Sequence, residues 1–121
     1  MVLNSTAPSG IPDNITSPKS TSTECIIQWV PAENTGTDPD GWILGYKVYY
    51  NALNSSNVQT FTVTDANTTE VALSGLEEFE NYVFHVVAFN VYGEGNVSQL
   101  GTCRTKEAGR NYRIKINRFI S

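Results

Sequence analysis

Tyr82-Val83-Phe84-His85-Val86-Val87-Ala88-Phe89-Asn90 is the stretch on which the fold turns. Read with a period of two, it places Tyr82, Phe84, Val86 and Ala88 on one face and Val83, His85, Val87 and Phe89 on the other. That is strand geometry in which both faces find apolar contacts, and it is the strongest strand signal in the chain.

Working back, Glu24-Cys25-Ile26-Ile27-Gln28-Trp29-Val30 gathers Cys25, Ile27 and Trp29 on one parity, which predicts a second strand with Trp29 as its largest core side chain. Gly45-Tyr46-Lys47-Val48-Tyr49-Tyr50 turns Tyr46, Val48 and Tyr50 inward and Lys47 and Tyr49 outward. Ile11 to Thr16 reads as an edge strand, since Pro12 donates no ladder hydrogen bond, and Pro18 is expected to end it. Further short strands are expected at 58–63, 71–73 and 100–105, separated by runs rich in Gly, Pro, Asn and Asp, among them a turn over 91–96. Seven strands spaced by turns every ~8–12 residues predict an all-β antiparallel two-sheet sandwich.

The chain's 121 residues support one core. Residues 1–10 read as a linker, 11–105 as the domain and 106–121 as a basic tail. Met1-Val2-Leu3-Asn4 has neither the basic nor the apolar region of a secretory signal, so Met1 is expected to begin an excised segment. The apolar runs, such as Val86-Val87-Ala88-Phe89, fall far short of the ~18 residues that a membrane-spanning helix needs.

Charge is unevenly spread. Residues 1–103 carry two basic and eleven acidic side chains, whereas 104–121 carry six basic and one acidic. A body this acidic repels phosphate backbones and argues against nucleic-acid binding. The tail alternates Tyr112, Ile114 and Ile116 against Arg113, Lys115 and Asn117, which fits a strand, a disordered end or the opening of another module. Sequons at Asn4, Asn14, Asn54, Asn67 and Asn96 each permit N-glycosylation and point to an extracellular or cell-surface setting.

Trp29, the run Gly45-Tyr46-x-Val48-x-Tyr50, Leu76 with Tyr82 six residues on, Tyr82-x-Phe84-x-Val86-x-Ala88-x-Asn90-x-x-Gly93, and Thr105 together resemble the fibronectin type III domain. The resemblance covers residues 11–105. It implies a seven-stranded Greek-key sandwich, with strands A, B and E in one sheet and C, C′, F and G in the other. It also implies a core of Trp29, Tyr46, Val48, Leu76, Tyr82, Phe84, Val86 and Ala88. Burying Trp29 removes ~150–250 Å² from water, worth roughly 4–6 kcal/mol before entropy is subtracted. Tyr82 stands where the family's tyrosine corner lies, so its hydroxyl is expected to bond backbone near Leu76; the family's usual Pro two residues after that Leu is Glu78 here.

Cys25 and Cys103 fall where the family buries apolar residues in strands B and G, which suits either two buried free thiols or a disulfide favoured by an extracellular setting. His85 is the single histidine and is placed outward, so neither a catalytic triad nor a histidine metal cluster can be assembled and no catalytic or cofactor residue is assigned. Asp38-Pro39-Asp40, near Glu33, reads as turn chemistry. No Arg-Gly-Asp occurs, so integrin binding of that type is not supported. The outward face of strands C and F gathers Tyr49, Val83, Val87 and Phe89, a candidate face for a protein partner, with long stems such as Lys47 as the alternative cover. These features describe a non-catalytic extracellular interaction and spacer module of a multidomain adhesion or receptor protein, such as a receptor-type phosphatase ectodomain. The partner is then another protein or a neighbouring module of the same chain. The alternative is a cytokine-receptor-like ligand-binding module, although that class's Trp-Ser-x-Trp-Ser is absent.

Overall fold

Eight strands follow in order: β1 (Asp13–Ser20), β2 (Cys25–Val30), β3 (Gly45–Ala52), β4 (Gln59–Val63), β5 (Glu70–Leu73), β6 (Asn81–Asn90), β7 (Gly93–Glu94) and β8 (Gly101–Arg104). They are seen in a computed structural model that describes residues 6–34 and 39–108. One antiparallel sheet is ordered β1-β2-β5; the other is ordered β4-β3-β6, with β7 and β8 both pairing with β6.

Two strand expectations need correction. The described residues form eight strands instead of seven because the last strand is broken: Gly93–Glu94, read from sequence as a turn, pairs with Phe89–Asn90, and Gly101–Arg104 pairs with Asn81–Phe84. Between them the chain is tied to β6 at two points: Gly95 N donates to Ala88 O, and Ser98 both donates from its N to Val86 O and accepts from Val86 N at its Oγ. Nor does Pro18 end β1, which runs on to Ser20. Because β1 is an edge strand, the proline's missing N–H costs no ladder bond that a central strand would need, and the register shifts on that stretch accommodate it.

Alternation becomes burial along β2, where Cys25, Ile27 and Trp29 are buried and Gln28 and Val30 are exposed. On β3, Tyr46 and Val48 are buried, and Tyr50 packs against the core at its margin. On β6, Tyr82, Phe84, Val86 and Ala88 are buried in the same cluster, joined by Leu76 from the β5–β6 connection. Trp29 stacks on Tyr46 across the two sheets, ring centroids 5.3 Å apart. Its Nε1 is buried without a hydrogen-bond partner, so its contribution is apolar area alone. Gly101 lies under the Phe84 ring: a Cβ there would stand 2.5 Å from a ring carbon, so the ring's place depends on that glycine.

Cys25 on β2 and Cys103 on β8 are joined by a disulfide that bridges the two sheets, with Cα atoms 6.5 Å apart. With 78 residues of separation, the cross-link reduces unfolded-chain entropy by an amount worth about 4 kcal/mol on the chain-entropy account. Where the family usually has a proline, the connection around Glu78 is held by hydrogen bonds. Tyr82 Oη accepts from Glu77 N at 2.8 Å, Thr105 Oγ1 accepts from Glu80 N at 2.9 Å, and the same hydroxyl donates to Glu77 O at 2.6 Å. Residues 6–10, read as linker, lie against the β6–β7 turn: Pro8 is buried and the Thr6 carbonyl accepts from Asn90 Nδ2.

Trp29→Ala removes the largest core ring of β2 and is expected to cost ~3–5 kcal/mol. A denaturant melt showing under ~1 kcal/mol would place that ring outside the cooperative core. Tyr82→Phe keeps the ring and strips the acceptor from Glu77 N; a loss of roughly 1–3 kcal/mol is expected in the same measurement.

Candidate functional site

The outer face of the larger sheet follows from strand register. Tyr49 opposes His85, Lys47 opposes Val87, Gly45 opposes Phe89 and Asn51 opposes Val83; beyond β6, Phe89 opposes Glu94 and Val83 opposes Thr102. The structure therefore brings Tyr49, Val83, Val87 and Phe89 to one surface, but does not expose them equally. Tyr49, Val83 and Phe89 are half-buried. Val87 is 1% exposed and lies outside the main core cluster, so it is removed from the candidate contact residues.

A polar bridge crosses β6 on this face. Glu94 on β7 reaches across β6 to β3, where one carboxylate oxygen accepts from Lys47 Nζ at 3.0 Å and the other from the Tyr49 hydroxyl at 2.6 Å. Lys47 also lies over the Phe89 ring, 5.7 Å from its centroid, so its stem and charge close the other side. His85 stacks against Tyr49 with centroids 5.4 Å apart. Burial holds its pKa below the usual imidazole value, which leaves the ring uncharged near neutrality.

Glu94 is the residue that sequence reading missed. Its signal was its place one residue after Gly93, whose φ of 142° lets the chain double back beside β6 and aims the next side chain at the outer face. Also missed was an apolar group at the pole where the β2–β3 and β6–β7 connections meet: Trp42, Leu44, Val91 and Tyr92 are all exposed there. Asn90 builds this pole. Its Nδ2 donates to the carbonyls of Thr6 and Gly41, and its Oδ1 accepts from Tyr92 N and Gly93 N, so the buried amide is fully satisfied.

Asn14, Asn54, Asn67 and Asn96 are exposed; Asn4 and the tail from 109 onward lie outside the described residues, as does Asp38. Among the described residues no group of three His, Cys, Asp or Glu stands together as a metal site. Among the described residues no helix is long and apolar enough to cross a membrane.

A family model for the fibronectin type III domain matches residues 7–104. The chain belongs to that family. It is 33% identical to Protein turtle of Drosophila melanogaster over 107 residues, 88% of this chain and 7% of that protein. Receptor-type tyrosine-protein phosphatase S of Gallus gallus is 35% identical over 104 residues, 84% of this chain and 6% of the relative. Protein sidekick-2 of Mus musculus is 33% identical over 92 residues, 75% and 4% respectively. The chain thus spans only a small fraction of these relatives, and its likeness to the phosphatase lies in a fibronectin type III region, not in a catalytic domain. The crystal structure of the chicken CNTN1 FN1-FN3 domains shares the fold, with a TM-score of 0.71 and 23% identity over 84% of this chain and 33% of that one.

The Glu94 bridge sets a pH dependence. Its hydrogen bond and charge push the Tyr49 hydroxyl up to about 12 from 10.0, so the stability the bond contributes is present below pH 10 and is lost as pH rises from there through about 12. Glu94 itself is held below the usual carboxylate range by Tyr49 and Lys47, so its share is lost as pH falls through that lowered value. Glu94→Gln is expected to return the Tyr49 titration toward 10 in an ultraviolet phenolate titration. An unchanged curve would mean that the carboxylate does not hold the phenol.

Proposed function

We propose that this domain is a non-catalytic interaction and spacer module in the extracellular part of a larger cell-surface adhesion or receptor protein. The supporting observation is the kind of match: about a third of residues identical across most of this chain, within proteins many times longer. A module in such a series holds its neighbours at a fixed spacing and offers a side surface. Here that surface is the half-exposed row Val83, His85, Tyr49 and Phe89, rimmed by the Lys47–Glu94 pair. Aromatic and aliphatic groups beside a paired charge suit a protein partner that buries the rings and leaves the ion pair at the rim.

The extracellular setting is supported by the inter-sheet disulfide and by four exposed sequons, which we propose carry glycans at Asn14, Asn54, Asn67 and Asn96. The reading is tested with the fluorescently labelled 121-residue chain on intact animal cells. Saturable binding is expected, and a Val83→Asp/Phe89→Asp variant that melts like the parent should lose it by about tenfold or more, since hot-spot truncations cost ~2 kcal/mol each. Equal binding by parent and variant would remove the face from the function.

A further inference from the structure

We infer that residues 109–121 of this chain dock back onto the pole where the β3–β4 hairpin meets the β5–β6 connection, and cover the recess there. That recess, of about 430 Å³, has the hairpin on one side and the connection on the other. Its lining combines apolar surface from Tyr50, Ala52 and Leu76 with two acids, Glu77 and Glu80. Among the described residues no basic side chain lines it. Exposed apolar groups stand within the same two segments: Leu53 on the hairpin, whose N–H donates to Asn81 O, and Phe79 on the connection.

Phe79 is the residue on this pole that packing of the sandwich does not explain. Its φ of 52° is an outlier for a bulky side chain, and such a conformation persists only where the surroundings hold it. Its N–H donates to the Lys106 carbonyl at 3.3 Å, and the Arg104 guanidinium lies 4.1 Å from its ring centroid. The ring is thereby fixed at the surface, 50% exposed. With Leu53 it leaves apolar area on this pole that the described residues do not cover.

The occupant follows from where the chain goes. Thr105 Oγ1 accepts from Glu80 N and donates to Glu77 O, so the chain leaves the last strand bonded to the acidic wall of the recess. The thirteen residues from Gly109 onward carry four bases, Arg110, Arg113, Lys115 and Arg118, and no acid. Extended, they reach roughly 40 Å, ample to cross the pole. An extended segment would set Tyr112, Ile114 and Ile116 against the apolar lining and turn Arg113 and Lys115 toward the acids. Tethering places the segment at an effective concentration on the order of millimolar, so a modest contact suffices. A separate protein lacks that advantage, and it would meet the glycan proposed at Asn54, which lines the hairpin side.

The test is hydrogen–deuterium exchange of the 121-residue chain, read by mass spectrometry over residues 109–121 and compared with a synthetic peptide of that sequence. Tail amides are expected to exchange about tenfold or more slowly in the protein than in the peptide, at any protein concentration. Glu77→Gln/Glu80→Gln leaves the backbone groups that bond Thr105 in place and should return the tail to the peptide's rate. Glu33→Gln, an exposed acid in the β2–β3 connection at the other pole, should leave the protection unchanged. Arg113→Glu/Lys115→Glu should abolish protection relative to a peptide of its own sequence, and it decides the matter if thermal melts show the body variant to be unfolded. The inference is overturned if the tail exchanges as fast as the peptide or if either folded variant keeps the protection. Protection that appears only as protein concentration rises would mean exchange of tails between copies, and would also overturn it. The recess shares no residue with the Tyr49 face, so either proposal stands or falls without the other.

Discussion

Burial of β6, complete on one face and reaching Val87 on the other, is the constraint that organises this domain. One face packs Tyr82, Phe84, Val86 and Ala88 into the core, and the other hides Val87 beneath side chains from its neighbours. A strand with so full a core face has little freedom of register, because a slip of one residue would send the core set outward and bring His85 and Phe89 inward. Its eight register pairs with β3 therefore fix the larger sheet. Polar anchors sit at its two ends: Tyr82 ties the chain entering β6, and Asn90 ties the turn leaving it together with residues 6 and 41. Apolar burial sets the strand's place between the layers, and directional bonds at its ends set where the connecting loops go.

The two sheets are joined in complementary ways. Trp29 against Tyr46 is a contact of area, favourable over a range of small displacements. The Cys25–Cys103 disulfide is a contact of position, which ties β2 to the last strand beyond the reach of any ladder hydrogen bond. Together with the bonds from Ser20 and Lys106, it keeps the edges of β1 and β8 close without merging the sheets.

What the sequence made legible was parity. The alternation of Cys25, Ile27 and Trp29, and of Tyr82 through Ala88, directly assigns inward faces, since period two is a property of the backbone itself. Parity does not say what covers the other face, and so it groups Val87 with the outward residues although Val87, opposite Lys47 in register, is 1% exposed. The disulfide stayed open for a similar reason: Cα separation across two sheets is a tertiary distance that spacing along the chain does not contain. The break between β7 and β8 was hidden because Gly95 to Leu100 has the composition of a turn although its ends still pair with β6.

An open sandwich has four edges, and the four described sequons stand on or beside them. Asn14 is in β1, Asn54 precedes β4, Asn67 lies between β4 and β5, and Asn96 lies between β7 and β8. Exposed edges invite pairing with other chains, and bulky hydrophilic groups beside them oppose it. Backbone devices act in the same sense: Pro18 and two register shifts interrupt β1, and the last strand is split. The outer surface built by Tyr49, Val83, His85 and Phe89 carries no sequon on its central strands β3 and β6. With glycans at these sequons, as proposed, edge contacts would be opposed while that face stays open, and a partner approaching it would meet a two-strand platform on which Glu94 already holds Tyr49 and Lys47, lowering the entropic cost of binding.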